Sequence, residues 1–124
     1  MPKLLITEAD IIQFGAYREQ DVIVAGYEVR SPGAAMTFIF QKEVQNPDPH
    51  PALQGMCAEI NENTFYGGVT GFALDDAMSQ LRVAFDPVKS GGIEILDLPV
   101  PAAATEEERM LLLQLAKAFA NRRH

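Results

Sequence analysis

The sequence predicts an α+β fold: an antiparallel β-sheet of about six to eight strands with one C-terminal α-helix packed on it. Three observations carry this. Short runs of β-branched and aromatic residues with period two recur as far as Leu98, each bounded by Gly, Pro, Asp or Asn clusters. Pro99 and Pro101 then interrupt any ladder. Beyond Thr105 the apolar residues change to helical spacing.

Ile11 to Tyr17 reads as a strand, and the polar Arg18-Glu-Gln-Asp21 as the hairpin turn into Val22-Ile-Val-Ala-Gly-Tyr-Glu-Val29. Ser31-Pro-Gly-Ala34 is a second turn, leading to Met36–Lys42 with Phe38 and Phe40 on one face. Three prolines in Asn46-Pro-Asp-Pro-His-Pro51 remove amide donors, so this segment is an exposed loop. Gln54–Ile60 resumes as a strand with Met56, Ala58 and Ile60 on one side. Gly68–Leu74 follows, then a turn at Asp75-Asp-Ala-Met-Ser79, and Leu81–Phe85, whose Leu81, Val83 and Phe85 alternate with Arg82 and Ala84. Asp86–Gly92 connects to Ile93–Leu98. Thr105-Glu-Glu-Glu108 is a capping-box pattern that opens a helix over about 105–121, and Leu111, Leu112, Leu115, Ala118 and Phe119 supply its apolar face. The whole of 1–124 reads as a single domain, with its strands within 3–98.

With 48% apolar and 22% charged residues the composition is globular. Cys57 is the only cysteine, which excludes an internal disulfide and points to a reducing compartment. The apolar run Leu4-Leu-Ile6 is too short for a signal-peptide core, and no stretch approaches a membrane span. The expected location is therefore the cytoplasm. A net charge of −7 disfavours nucleic acid and anionic membrane as partners. No lysine or arginine occurs between Lys42 and Arg82, while Glu43, Asp48, Glu59, Glu62, Asp75 and Asp76 fall there, so a basic protein partner is expected.

Residues that could carry chemistry lack the companions it needs. Cys57 has no histidine or cation beside it in sequence to lower its thiol pKa. His50 and His124 show no metal-ligand spacing, and no metal or cofactor is expected. Asp75-Asp76 sits in a turn context, where adjacent carboxylates do not converge on one proton. Asn61-Glu-Asn-Thr-Phe-Tyr-Gly-Gly-Val-Thr-Gly-Phe72 has the glycines of a phosphate loop, yet it lacks the Lys-Ser/Thr ending and runs into a strand. Its glycines read as a bend or bulge, and Tyr66 as a residue able to face a protein partner.

Phe40-Gln-Lys42, Leu53-Gln-Gly-Met56, Tyr66-Gly-Gly-Val69 and Leu81-Arg-Val-Ala-Phe85 followed by Asp-Pro stand in an order and spacing that resemble the immunity protein 10 family of bacterial polymorphic-toxin systems. The resemblance covers about residues 22–98. Cys57 and Ala58 depart from it, since relatives often carry an acidic residue and then a tyrosine there. It implies a protein that is not an enzyme, has no catalytic residues, and binds and neutralises a cognate toxin by occlusion. Asp48, His50, Glu62, Tyr66, Asp75 and Asp76 are the expected partner-binding residues. Two other readings stand beside it: a small ligand-binding domain or enzyme with a pocket between sheet and helix, and a domain that forms a homodimer through an exposed strand edge.

Overall fold

The structure is a computed structural model and describes residues 3–31, 34–43 and 56–120. It is α+β, but its strands divide between two sheets where one was expected. Nine strands are formed among the described residues: β1 (Lys3–Leu5), β2 (Ile11–Glu19), β3 (Val22–Ser31), β4 (Ala34–Glu43), β5 (Cys57–Ile60), β6 (Asn63–Tyr66), β7 (Val69–Leu74), β8 (Gln80–Phe85) and β9 (Ile95–Pro99). A single-turn helix, α1 (Pro87–Ser90), lies in the Asp86–Gly92 connection, and α2 (Glu106–Ala120) closes the described chain. The larger sheet has the order β2-β3-β4-β5-β6, all antiparallel, and the smaller the order β1-β9-β8-β7. β1 and β9 are parallel, the one exception to the expected antiparallel pairing. Parallel neighbours need a crossover, and here nearly the whole domain supplies it.

Alternation decides what each strand buries. Ile23, Ala25, Tyr27 and Val29 of β3 and Phe38 and Phe40 of β4 turn inward and are buried, as are Met56, Ala58 and Ile60. Leu81, Val83 and Phe85 of β8 and Leu96 and Leu98 of β9 answer them from the smaller sheet. The two layers meet through aromatic rings: Phe40 lies 5.6 Å from Phe72 and 6.3 Å from Phe85, and Phe65 lies 6.0 Å from Phe85. α2 packs against β2, β3, β4 and β7, inserting Leu112, Leu115 and Phe119 into the same core. Its capping box is formed: the Thr105 amide donates to Glu108 Oε1 (2.8 Å) and the Glu108 amide donates to Thr105 Oγ1 (3.0 Å). Among the described residues no helix is long and apolar enough to cross a membrane.

The switch between sheets happens at Gly67–Gly68. Gly67 takes a left-handed φ of 71°. Gly68 is required for space, because a Cβ there would lie 2.5 Å and 2.7 Å from two ring carbons of Phe65. Two β2–β3 residues, Gln20 and Asp21, form the first hairpin loop, tighter than the four-residue turn expected; Gln20 has φ 55° and its carbonyl accepts from Arg18 Nε at 2.9 Å. The Asn46–Pro51 loop, the Pro32–Gly33 turn and His124 lie outside the described residues.

Candidate partner-binding surface

Asn61 and Glu62 form a two-residue hairpin turn between β5 and β6, with φ of 50° and 72°. Both central residues of a type I′ turn need positive φ, and asparagine tolerates it best after glycine. The turn is hooked onto β4: the Thr37 amide donates to Asn61 Oδ1 (2.9 Å) and the Asn61 amide donates to the Thr37 carbonyl (3.1 Å). Glu62 is thereby held out at the tip, exposed. β6 then runs to Tyr66, whose ring is exposed and whose carbonyl accepts from Lys89 Nζ at 2.7 Å. A cation that is distant in sequence therefore stands over the glycine corner, but its ammonium is used to fasten α1 to β6.

The two adjacent aspartates have different roles. Asp75 accepts from the Ser79 amide (2.7 Å), the Ser79 hydroxyl (2.9 Å) and the Gln80 amide (3.0 Å). These bonds, the Ser79 amide first, hold its carboxyl below the usual carboxylate value. Asp75 thus closes the β7–β8 turn, while Asp76 is exposed and makes no hydrogen bond or ion pair among the described residues. Of the remaining expected contacts, Asp48 and His50 lie outside the described residues.

Register places both turns at one end of the molecule. Asn61 sits beside Thr37, Thr37 pairs with Glu28, and Glu28 pairs with Gln13, which borders the hollow at the start of α2. On the smaller sheet, the Val100 amide donates to the Ser79 carbonyl, and Arg109 of α2 donates to the carbonyls of Met78 and Pro101, each at 2.8 Å. The β5–β6 tip, the β7–β8 tip and the first turn of α2 therefore share a pole. Its carboxylates divide into those with structural bonds and those without. Asp10 is held by Thr7, Asp75 by its own turn, and Glu108 by the cap. The carboxylates of Glu28, Glu62, Asp76, Glu106 and Glu107 make no hydrogen bond or ion pair among the described residues. Three of these five, Glu28, Glu106 and Glu107, were not anticipated from sequence. The helix glutamates were legible only as complements to the macrodipole, and Glu28 only as an outward strand position.

Other chemistry-bearing groups are placed differently. Cys57 is a buried free thiol, although its phase turns it away from the core. The Tyr27 hydroxyl is buried without a hydrogen-bond partner among the described residues; burial pushes its pKa up, partly offset by the positive charge of Arg109. The hollow between β2 and α2, about 290 Å³, has Glu8 and Glu108 on its wall. Both are bonded to backbone amides, Glu8 to Ala102 at 3.3 Å and Glu108 to Thr105 at 2.8 Å. No group of three or more His, Cys, Asp or Glu able to hold a metal occurs among the described residues. No protein-family model, curated protein or solved structure matches the chain.

Proposed function

We propose that this protein is a non-catalytic binding protein that neutralises a bacterial toxin by occluding it, docking through the acidic pole. The observation that carries the reading is the set of uncommitted carboxylates from four separate elements: Glu28 on β3, Glu62 in the β5–β6 turn, Asp76 in the β7–β8 turn, and Glu106 with Glu107 on α2. A fold can use carboxylates to close turns and cap helices, and neighbouring ones here do so. Those left over repel one another, which is tolerable in water and becomes favourable when a cationic surface arrives. The family resemblance of residues 22–98 supplies the kind of partner, and the charge supplies its sign. Tyr66 and the turn backbone at Asn61–Glu62 would add contact area beside the charges.

Co-expression with the product of the adjacent upstream gene tests this reading. Restored growth together with co-purification of the two chains is expected. Continued toxicity, with no complex, would remove the proposal and favour a ligand-binding domain.

A further inference from the structure

On the outward face of the larger sheet, Gly15 of β2 stands directly opposite Gly26 of β3, and Gly26 is opposite Ile39 of β4. Neither glycine is needed for its backbone, since positive φ among the described glycines is confined to Gly67, Gly91 and Gly92. Neither is needed for want of room. A Cβ on Gly15 would meet nothing within 4 Å, and one on Gly26 would touch Ile39 Cγ1 and the Phe38 carbonyl at 3.8 Å, an ordinary contact. Glycine weakens a strand interior, and a facing pair also forfeits the cross-strand contact that stabilises antiparallel sheets. The fold gains nothing at these two paired positions, so the bare backbone is best explained by something that approaches it closely.

The missing side chains leave an open trough of about 440 Å³. Val24 and Ile39 continue its floor beside the glycines, exposed Tyr17 bounds one end, and Gln13, Glu28 and Thr37 bound the other. Strand geometry puts the Tyr17 and Glu28 rows each roughly 6.5–7 Å from the glycine row, on opposite sides of it. Charge on this face is mainly acidic: Glu19, Glu28 and Glu43 occupy outward positions, with Arg30 as the cation. A second copy of this chain would set its own glutamates against them, and the net charge of −7 opposes that.

We propose that this trough seats an arginine side chain of a cationic partner protein. Its guanidinium plane lies over Gly15 and Gly26, its edge meets the Tyr17 ring, and its fork pairs with the Glu28 carboxylate. A planar, weakly hydrated cation suits a flat floor with an aromatic wall and a carboxylate at the end. The ammonium of lysine, a compact and strongly hydrated charge, gains less from the floor and wall. The identity of the partner as a toxin rests on the function proposed above, and Glu28 belongs to both surfaces; the trough itself does not depend on that reading.

The test is a titration of ¹⁵N-labelled protein with a blocked Gly-Arg-Gly-Arg-Gly peptide and, separately, with its lysine counterpart. Amide shifts are expected at residues 13–17, 24–28 and 37–39, with the arginine peptide binding about threefold or more tighter than the lysine one. Gly15→Val, which fills the trough, should abolish those shifts while keeping a urea midpoint no lower than the parent's. Equal shifts from both peptides, or shifts confined to the turns at 61–62 and 75–79, would overturn the proposal in favour of general acidic attraction. Shifts of the same amides that grow with protein concentration alone would make the occupant a second copy. A Gly15→Val variant of lowered stability would return the glycines to the fold. Growth rescue by co-expression is read independently, so its failure alongside trough binding would remove the toxin and keep the trough.

Discussion

Replacing Gly68 with alanine should destabilise the protein by about 1–3 kcal/mol, the usual cost of overpacking a filled interior. The added Cβ would stand 2.5 Å and 2.7 Å from two Phe65 ring carbons and 3.0 Å from Lys89 Cβ. Carbon atoms settle about 3.5–4.0 Å apart, so the ring has to retreat by roughly 1 Å. It has little room to do so, being 8% exposed and edge-on to Phe85 with centroids 6.0 Å apart. Nor can the backbone readily yield, because the Gly68 carbonyl accepts from the Asp86 amide at 2.7 Å. Lys89 is held in turn by the Tyr66 carbonyl. Urea unfolding measures the outcome: with an m-value of about 2 kcal/mol/M, a 2 kcal/mol loss lowers the midpoint by roughly 1 M without changing m. Phe65→Leu in the same background should recover part of the loss, a coupling of about 1 kcal/mol or more. Gly67→Ala should lose stability through its left-handed φ and show no such coupling. A Gly68→Ala midpoint within roughly 0.2 M of the parent's, far less than the overpacking cost requires, would refute the packing argument.

Further predictions concern single polar groups. Tyr27→Phe removes a buried hydroxyl that has no partner, and should leave the melting temperature unchanged or raise it by a few degrees; a fall would show that the hydroxyl is bonded. Thr105→Ala should cost about 1 kcal/mol by opening the cap of α2, read in the same urea assay, with no loss indicating that Glu108 alone suffices. The folded pKa of Asp75 is depressed, so its stabilisation is complete above its unfolded value of about 4 and is lost as pH falls through the folded value. Asp75→Ala should therefore be less stable than the parent at neutral pH, with the gap closing in acid; a gap independent of pH would detach the effect from the carboxylate.

Alternation along the chain was enough to place β2, β3, β4, β7 and β8, because each turns one set of alternate residues toward the core, only half-buried in β2, and is flanked by a turn signal. It could not place β6. Asn63-Thr-Phe-Tyr66 contributes only Phe65 to the core, and a single inward residue makes no pattern. Nor could it reveal two sheets, since period two names a strand's faces and not its neighbours. The division depends on the Gly67–Gly68 corner, where one glycine answers a backbone angle and the other the position of an aromatic ring. Cys57 shows the limit differently: its outward phase was legible, its burial was not. At the acidic pole, the turn holding Asp75 and Asp76 was readable from composition, whereas the Asn61–Glu62 turn was not, since it depends on β6. The difference between Asp75 and Asp76 required the geometry of the loop. The arrival of Glu28, Glu106 and Glu107 at the same end is a product of register and helix docking, which no local pattern encodes.

The most direct test of the central claim is the association rate of the purified complex at low and high salt. The parent is compared with a Glu28→Lys, Glu62→Lys, Asp76→Lys variant that leaves the structural Asp75 intact. Steering by the uncommitted carboxylates predicts an on-rate lower by about 10-fold or more at low salt, with the difference shrinking as salt screens it. An on-rate and salt dependence equal to the parent's would contradict docking through the acidic pole.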